Sequence, residues 1–346
     1  MSGPNTMSAW RYSTAYGGLE KNLRAVSDAP IPSHDKLRSN QIIVRVRAAS
    51  INPIDYKMVE IPVVGSHMAK MPATPGKDFS GDVVHVSASN STGLSEGQRV
   101  FGRLHGQPSL GALAQYILVN VGVDACVALP DGVSYESGAA VGTAGMAALQ
   151  SIRPFLPEKE GTVLINGGSS GVGTWGIQFA KALGAKDIVT TCSASSVDFC
   201  TTLGATECID YRSTDIVDVL KKKGQVFDVV ADFIGTPTNL YKECHHFLKP
   251  TGYFNQIGAS PSFSGVTRLW FSQYQPSCLG GGKRNFAFLR SQNEKEDFEL
   301  VGKWLQEGKV KAIIDSTFEW TDAINAYKKL KTGRAKGKII VKGIAT

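Results

Sequence analysis

Paired cysteine is what this sequence most plainly lacks. Its six cysteines, at 126, 192, 200, 208, 244 and 278, never stand in a C-x-x-C. That excludes the spacing of a zinc ribbon or a dithiol redox motif and predicts reduced thiols. The six histidines are scattered too, and the adjacent His245 and His246 should face different directions on a helix, so no metal site is expected. No run is long and apolar enough to span a bilayer. The opening MSGPNTMSAW has neither the apolar core of a signal peptide nor an Arg-rich amphipathic pattern, which predicts a cytoplasmic protein. The net charge is +7, yet the dense basic run is Lys221–Lys223, at the end of an expected helix before Gly224. Basic residues there suit the helix dipole and are solvated. No basic stripe interleaves with aromatics, so a nucleic-acid partner is not expected. Internal repeats and low-complexity tracts are absent as well.

What is present fits a folded enzyme. The chain has 346 residues, 42% of them hydrophobic and 19% charged, which predicts more than one domain. Residues 41–49, QIIVRVRAA, alternate apolar and basic as a half-exposed strand does. Short strands continue through FSGDVVHVS, GQRVFGRL and AQYILV, giving a β-rich, barrel-like first part over 1–128. After LPDGVSYESGAAV the rhythm becomes strand and helix in alternation. Strands are expected at 162–166, 187–192, 207–210, 227–233 and 253–257, and helices at 174–183, 195–203, 213–222 and 238–248. A Ser/Gly/aromatic stretch to about residue 285 and an amphipathic helix in EKEDFELVGKWLQEG follow. This alternation over 129–308 predicts an α/β fold with a doubly wound parallel sheet. The tail, 309–346, reads strand, helix, strand and suits a return to the first domain.

The stretch VLINGGSSGVGTWG, residues 163–176, carries the chemistry. Val163–Ile165 is a buried-strand run, and TWGIQFAKALGA has near-helical apolar spacing that stops at Gly184. A glycine-rich turn between strand and helix is the setting of a dinucleotide fingerprint, where small residues let backbone approach a pyrophosphate at a helix N-terminus. Gly168, Ser170 and Gly173 fill the three glycine positions, with Gly171 and Val172 between the last two. Serine in the middle position costs some closeness but offers a hydroxyl to phosphate. An NAD site usually carries an acid about 20 residues past the glycines. Here the region reads TCSASS, with Ser193 and Ser196, and no acid comes before Asp198. Small hydroxyl residues leave room for a 2′-phosphate, and Tyr211 with Arg212 completes such a pocket, so NADPH is the expected cofactor.

Five segments occur in order: AASINPIDYKM (48–58), PGKDFSGDVV (75–84), GGSSGVGTWGIQFAKALGA (167–185), LGATECIDY (203–211) and GRAKGKIIV (333–341). Together they resemble the zinc-independent quinone oxidoreductase, or zeta-crystallin-like, branch of the medium-chain dehydrogenase/reductase superfamily. The resemblance covers nearly the whole chain. It implies a GroES-like catalytic domain, a Rossmann NADP(H)-binding domain and a C-terminal return to the first. Zinc-dependent relatives place a cysteine where this sequence has Asn52, and a histidine where it has Lys77. Neither residue is a zinc ligand, so no Lewis acid is expected and alcohol dehydrogenation is disfavoured.

The resemblance further implies that Asn52 approaches the nicotinamide and that Lys57 lies near its ribose and the substrate. Tyr56, with an ordinary pKa of about 10, is a candidate proton donor. Thr143, in VGTAG, lies where the family touches the nicotinamide side. Ile234 with Gly235, and Ile257 with Gly258, end the fourth and fifth strands and are expected at the cofactor. Phe286 stands where the family presents backbone to the carboxamide, and Lys338 lies in the matched C-terminal strand. The expected activity is NADPH-dependent hydride transfer to a small-molecule quinone or α,β-unsaturated carbonyl. An enoyl reductase of a lipid or polyketide pathway and a low-turnover NADPH-binding sensor or scaffold are the alternatives. A homodimer is compatible with this reading.

Overall fold

The computed structural model describes residues 6–61, 70–106, 110–257 and 281–344. The chain divides into two compact units, Met1–Met146 with Gln292–Thr346, and Ala147–Ser291. In chain order the strands are β1 (Thr6–Arg11), β2 (Arg24–Pro30), β3 (Gln41–Ile51), β4 (Asp78–Val86), β5 (Arg99–Arg103), β6 (Tyr116–Asn120) and β7 (Ala125–Ala128). The second unit holds β8 (Thr162–Asn166), β9 (Asp187–Cys192), β10 (Glu207–Asp210), β11 (Phe227–Asp232), β12 (Leu248–Gln256) and β13 (Asn285–Phe288). The tail adds β14 (Ile314–Phe318) and β15 (Lys338–Lys342).

In the first unit the strands run β14-β15-β3-β4-β5-β7, with β6 also paired to β3. Strand β15 lies antiparallel to β3 with Ile339 opposite Ile51 and Val341 opposite Ala49, so the tail completes the sheet that the N-terminal strands begin. The register follows the apolar alternation of β3, whose Ile42, Val44, Val46, Ala49 and Ile51 all enter one core with Phe79, Leu113 and Tyr327. Each such large side chain contributes about 1.5–3 kcal/mol on burial. Helix Lys295–Gln306 also belongs to this unit, burying Phe298, Val301 and Trp304, with Phe298 6.0 Å from Phe101. The boundaries drawn from sequence, after 128 and after 308, therefore differ from the compact units by a helical segment at each crossing.

The second unit is a parallel sheet in the order β10-β9-β8-β11-β12-β13, the doubly wound dinucleotide arrangement. Every residue of β8 is buried, because helices cover both faces of such a sheet. The protein is thus α/β, with a GroES-like sheet unit and a Rossmann-like unit. Two local expectations need correction. The helix expected over 238–248 is only Leu240–Glu243 followed by a tight turn, Cys244–His246, and β12 begins at Leu248 instead of at 253. Leu248 pairs with Phe227 at the start of β11, so sheet pairing claims residues whose apolar content suited a helix equally well. In the tight turn the His245 and His246 rings lie 4.0 Å apart, face to face more than diverging. Gly258, Cys278 and most of the Ser/Gly/aromatic stretch lie outside the described residues. Among the described residues no helix is long and apolar enough to cross a membrane.

Candidate functional site

The glycine turn of the second unit links β8 to helix Gly173–Ala182. Gly167 has φ +96°, a left-handed conformation that favours glycine. A Cβ on Gly173 would sit 2.1 Å from the Gly167 carbonyl oxygen, and one on Gly168 would sit 2.1 Å from Thr190 Oγ1. Both glycines are therefore demanded by the turn's own closeness. The Ser170 hydroxyl accepts from Gly173 N at 3.0 Å and so tethers the helix start. Its own hydrogen stays available to a ligand. The amides of Gly171 and Val172 meet no protein acceptor among the described residues. Free amides at the positive end of a helix suit a phosphate, so the turn fits a dinucleotide.

Around this turn the carboxyl ends of the strands are tied by a polar network that sequence reading missed. Asn166 Nδ2 donates to Asp232 Oδ1 and to the Thr236 carbonyl, both at 2.7 Å, while Thr191 Oγ1 donates to Asn166 Oδ1 at 2.6 Å. The same Asp232 oxygen accepts from Ile234 N and Gly235 N at 3.1 and 2.8 Å. Burial pushes the Asp232 carboxyl above its ordinary range. Ile234 is thereby held over the turn, its Cγ1 2.4 Å from where a Gly167 Cβ would be. Ile257 N donates to the Asp232 carbonyl at 2.9 Å.

Beyond β9, the Ser193 hydroxyl lies 3.1 Å from Ser195 and 3.3 Å from Ser196. Tyr211 N donates to the Cys192 carbonyl at 3.2 Å, so β10 brings Tyr211 beside the serine turn, and the Arg212 guanidinium lies 5.7 Å from the Tyr211 ring centre. Asp210 is an acid not singled out from sequence. Hydrogen bonds from Arg212 N, Ser213 and Ala194 N hold its carboxyl below the usual range. Phe286 packs its ring 4.6 Å from Tyr241 and 6.0 Å from Phe254, and its backbone lies in β13, paired opposite Phe254.

The first unit holds a second cluster. Asn52 follows β3 as the N-cap of the short helix Pro53–Lys57, with Asp55 accepting from Asn52 N at 2.8 Å as the acid of a capping box does. The Asn52 amide is turned elsewhere: Nδ2 donates to Asp78 Oδ2 at 2.8 Å and to the Ser50 carbonyl at 3.3 Å. Asn52 Oδ1 accepts from the ammonium of Lys338, which also donates to the Ile51 carbonyl at 3.3 Å. The other Asp78 oxygen accepts from Thr143 N at 2.8 Å and Thr143 Oγ1 at 2.7 Å, at the start of helix Gly142–Ile152. Only glycine fits at 142, since a Cβ there would lie 2.3 Å from Asp78 Cγ. Asn52, Asp55, Asp78 and Lys338 are all buried. Burial, with the Asp78 charge, pushes Asp55 up to about 7, and burial lowers Lys77 and Lys338.

Asn52 and Thr143 thus both donate to Asp78, and Lys338 joins the cluster through the Asn52 amide oxygen. Tyr56 and Lys57 lie on the same short helix. The Tyr56 ring sits 5.0 Å from the Lys331 ammonium, and burial raises its hydroxyl pKa. Lys57 has no ion-pair partner among the described residues. The donor set does not suit zinc: an ammonium occupies the Asn52 oxygen, position 77 is a cation, and the described residues contain no group of three His, Cys, Asp or Glu able to hold a metal.

Residues 38–131 match the family described as alcohol dehydrogenase GroES-like domain, and residues 203–341 that described as zinc-binding dehydrogenase. The trans-enoyl reductase pgmF of Aspergillus terreus is 43% identical over 98% of this chain and 97% of its own length. The 2-methylene-furan-3-one reductase of Solanum lycopersicum is 29% identical, over 98% of this chain and 79% of its own. The solved structure of the quinone oxidoreductase from Coxiella burnetii superposes with a TM-score of 0.81 at 28% identity, covering 98% of this chain and 100% of that one.

Proposed function

This chain is an oxidoreductase of the medium-chain dehydrogenase/reductase superfamily, in its quinone-oxidoreductase-like branch, and from that premise we propose that it reduces conjugated acceptors with NADPH and without zinc. The observation that carries the proposal is the Asn52–Lys338 contact, which leaves the metal-ligand position of zinc-dependent relatives without a ligand. With no Lewis acid, the acceptor must be electrophilic through its own conjugation, as an α,β-unsaturated carbonyl or a quinone is. The 43% identity to a trans-enoyl reductase favours the enone or enoyl acceptor over the quinone.

NADPH supplies the hydride when bound. The glycine turn would hold its pyrophosphate through the free amides of Gly171 and Val172 and the Ser170 hydroxyl. Ser193, Ser196, Tyr211 and Arg212 would surround the 2′-phosphate, beside the Asp210 carboxylate, which is held by the amides of Arg212 and Ala194. The acceptor gains the hydride at its electrophilic carbon and then one proton. Tyr56 is assigned as proton donor, because burial keeps its hydroxyl protonated well past neutrality, and Lys57 as the cation beside the substrate. Asn52 orients the reacting end. Comparing kcat/KM for an acyclic enal and an ortho-quinone tests the acceptor class: a faster enal is expected, and a quinone preferred by tenfold would reverse the choice.

A further inference from the structure

Lys338 is a conspicuous expense for the first unit, being an ammonium only 4% exposed. Removing such a charge from water costs several kcal/mol unless opposite charge and hydrogen bonds offset it. The offset here comes chiefly from the Asp78 carboxylate. The backbone around it is equally committed. Gly337 has φ +109°, and a Cβ there would lie 2.3 Å from the Ile313 carbonyl oxygen. Lys338 N donates to that carbonyl at 2.8 Å, and the next residue, Ile339, is in register with Ile51. The strand is thus pinned where its lysine reaches Ile51 O and Asn52 Oδ1.

Building on the function proposed above, we infer that Lys338 is a positioning residue that fixes the Asn52 amide and makes it an obligate acceptor toward the ligand. Both Asn52 Nδ2 hydrogens are used, by Asp78 and by Ser50 O. A flipped amide would aim NH2 at the ammonium and oxygen at the carboxylate, two repulsions in a buried setting. Among the described residues, what Asn52 has left is one lone pair on Oδ1. It therefore recognises a ligand donor, a hydroxyl or a primary amide N–H such as a nicotinamide nucleoside carries, and not the carbonyl of the acceptor. The cation standing at Asn52 is part of the protein itself, so it orients the site without binding substrate oxygen.

The test uses the full-length protein labelled with [15N]asparagine, with the Asn52 side-chain amide assigned by its loss in N52A. In the wild type this signal should be displaced and protected from exchange. K338M should move it and abolish the protection, and an unchanged signal in K338M overturns the inference whether or not the enzyme turns over. If K338M does not fold, K338A, which likewise removes the donor, is read in the same way. Kinetics supply the second readout. Loss of a charged hydrogen bond should cost K338M about 10- to 100-fold in kcat with NADPH and an enal. The N52A/K338M pair should lose no more than the worse single variant, whereas losses that multiply overturn the inference. A wild type inert toward every acceptor refutes the proposed function, and the amide signal alone then decides the role of Lys338.

Discussion

Replacing Asp55 by asparagine should make the protein more stable at alkaline pH and remove a pH dependence that the wild type carries. Asp55 is 2% exposed, one carboxylate oxygen accepts from Asn52 N, and the other has no partner among the described residues. Lys77 and Lys338 favour its charged form, but burial and the neighbouring Asp78 outweigh them and push the carboxyl from 3.8 up to about 7. The folded state therefore binds this proton more tightly than the unfolded state. Between about pH 4 and pH 7 the unfolded chain has released the proton while the folded one keeps it, so this group's contribution to stability falls as pH rises. Its steepest slope is about 1.4 kcal/mol per pH unit. Across the whole window the shift is worth about 4 kcal/mol. Asparagine still offers an oxygen to Asn52 N but carries no charge to desolvate. Urea unfolding of wild type and D55N from pH 4.5 to 8.5 compares the protein with and without the Asp55 titration and the response of Lys77 and Lys338 to it. The two should lie within about 1 kcal/mol of each other at pH 4.5, and D55N should be more stable by several kcal/mol at pH 8. A D55N variant that is the less stable at pH 8, or curves that run parallel throughout, would refute the reasoning. It would mean that Asp55 is ionised and holds Lys338 as an ion pair.

Three further outcomes follow from the geometry. Gly173→Ala must push the helix start away from the Gly167 oxygen, so NADPH affinity should fall at least tenfold, measured by nicotinamide fluorescence, with a lower Tm. Arg212→Ala should cut the preference for NADPH over NADH by about tenfold while leaving NADH kinetics unchanged, and equal losses with both cofactors would remove Arg212 from the 2′-phosphate pocket. Gly142→Ala forces a methyl group against the Asp78 carboxylate and should destabilise the first unit by about 2–4 kcal/mol in urea unfolding, the range of an overpacked buried site.

The sequence exposed some of this architecture and hid the rest for definite reasons. The turn at 167–173 was legible because its flanks have the periods of a strand and a helix, and its glycines answer to close contacts that only glycine permits. Strands β8 to β11 of the parallel sheet were legible because each is short and followed by a helical pattern, whereas β13, at the end of the Ser/Gly/aromatic stretch, was not anticipated. The stretch at 238–248 misled, since only Leu240–Glu243 is helical, a tight turn follows, and its last residue, Leu248, already opens β12. Asn52, Asp78 and Lys338 could each be picked out by motif, but not the fact that they touch. That depends on the register of β15 and β4 against β3, which bridges separations of 26 and 286 residues. The Asn166–Asp232–Thr191 network was invisible for the same reason: polar residues at strand ends look like loop residues until the sheet order is known.

The central claim is tested most directly by following NADPH consumption by the purified protein with an enal, alongside NADH and a metal chelator. The account predicts turnover with NADPH, little with NADH, and no loss on chelation. Activity that disappears with the chelator and returns with zinc would contradict it, as would NADPH binding without consumption across enals and quinones alike.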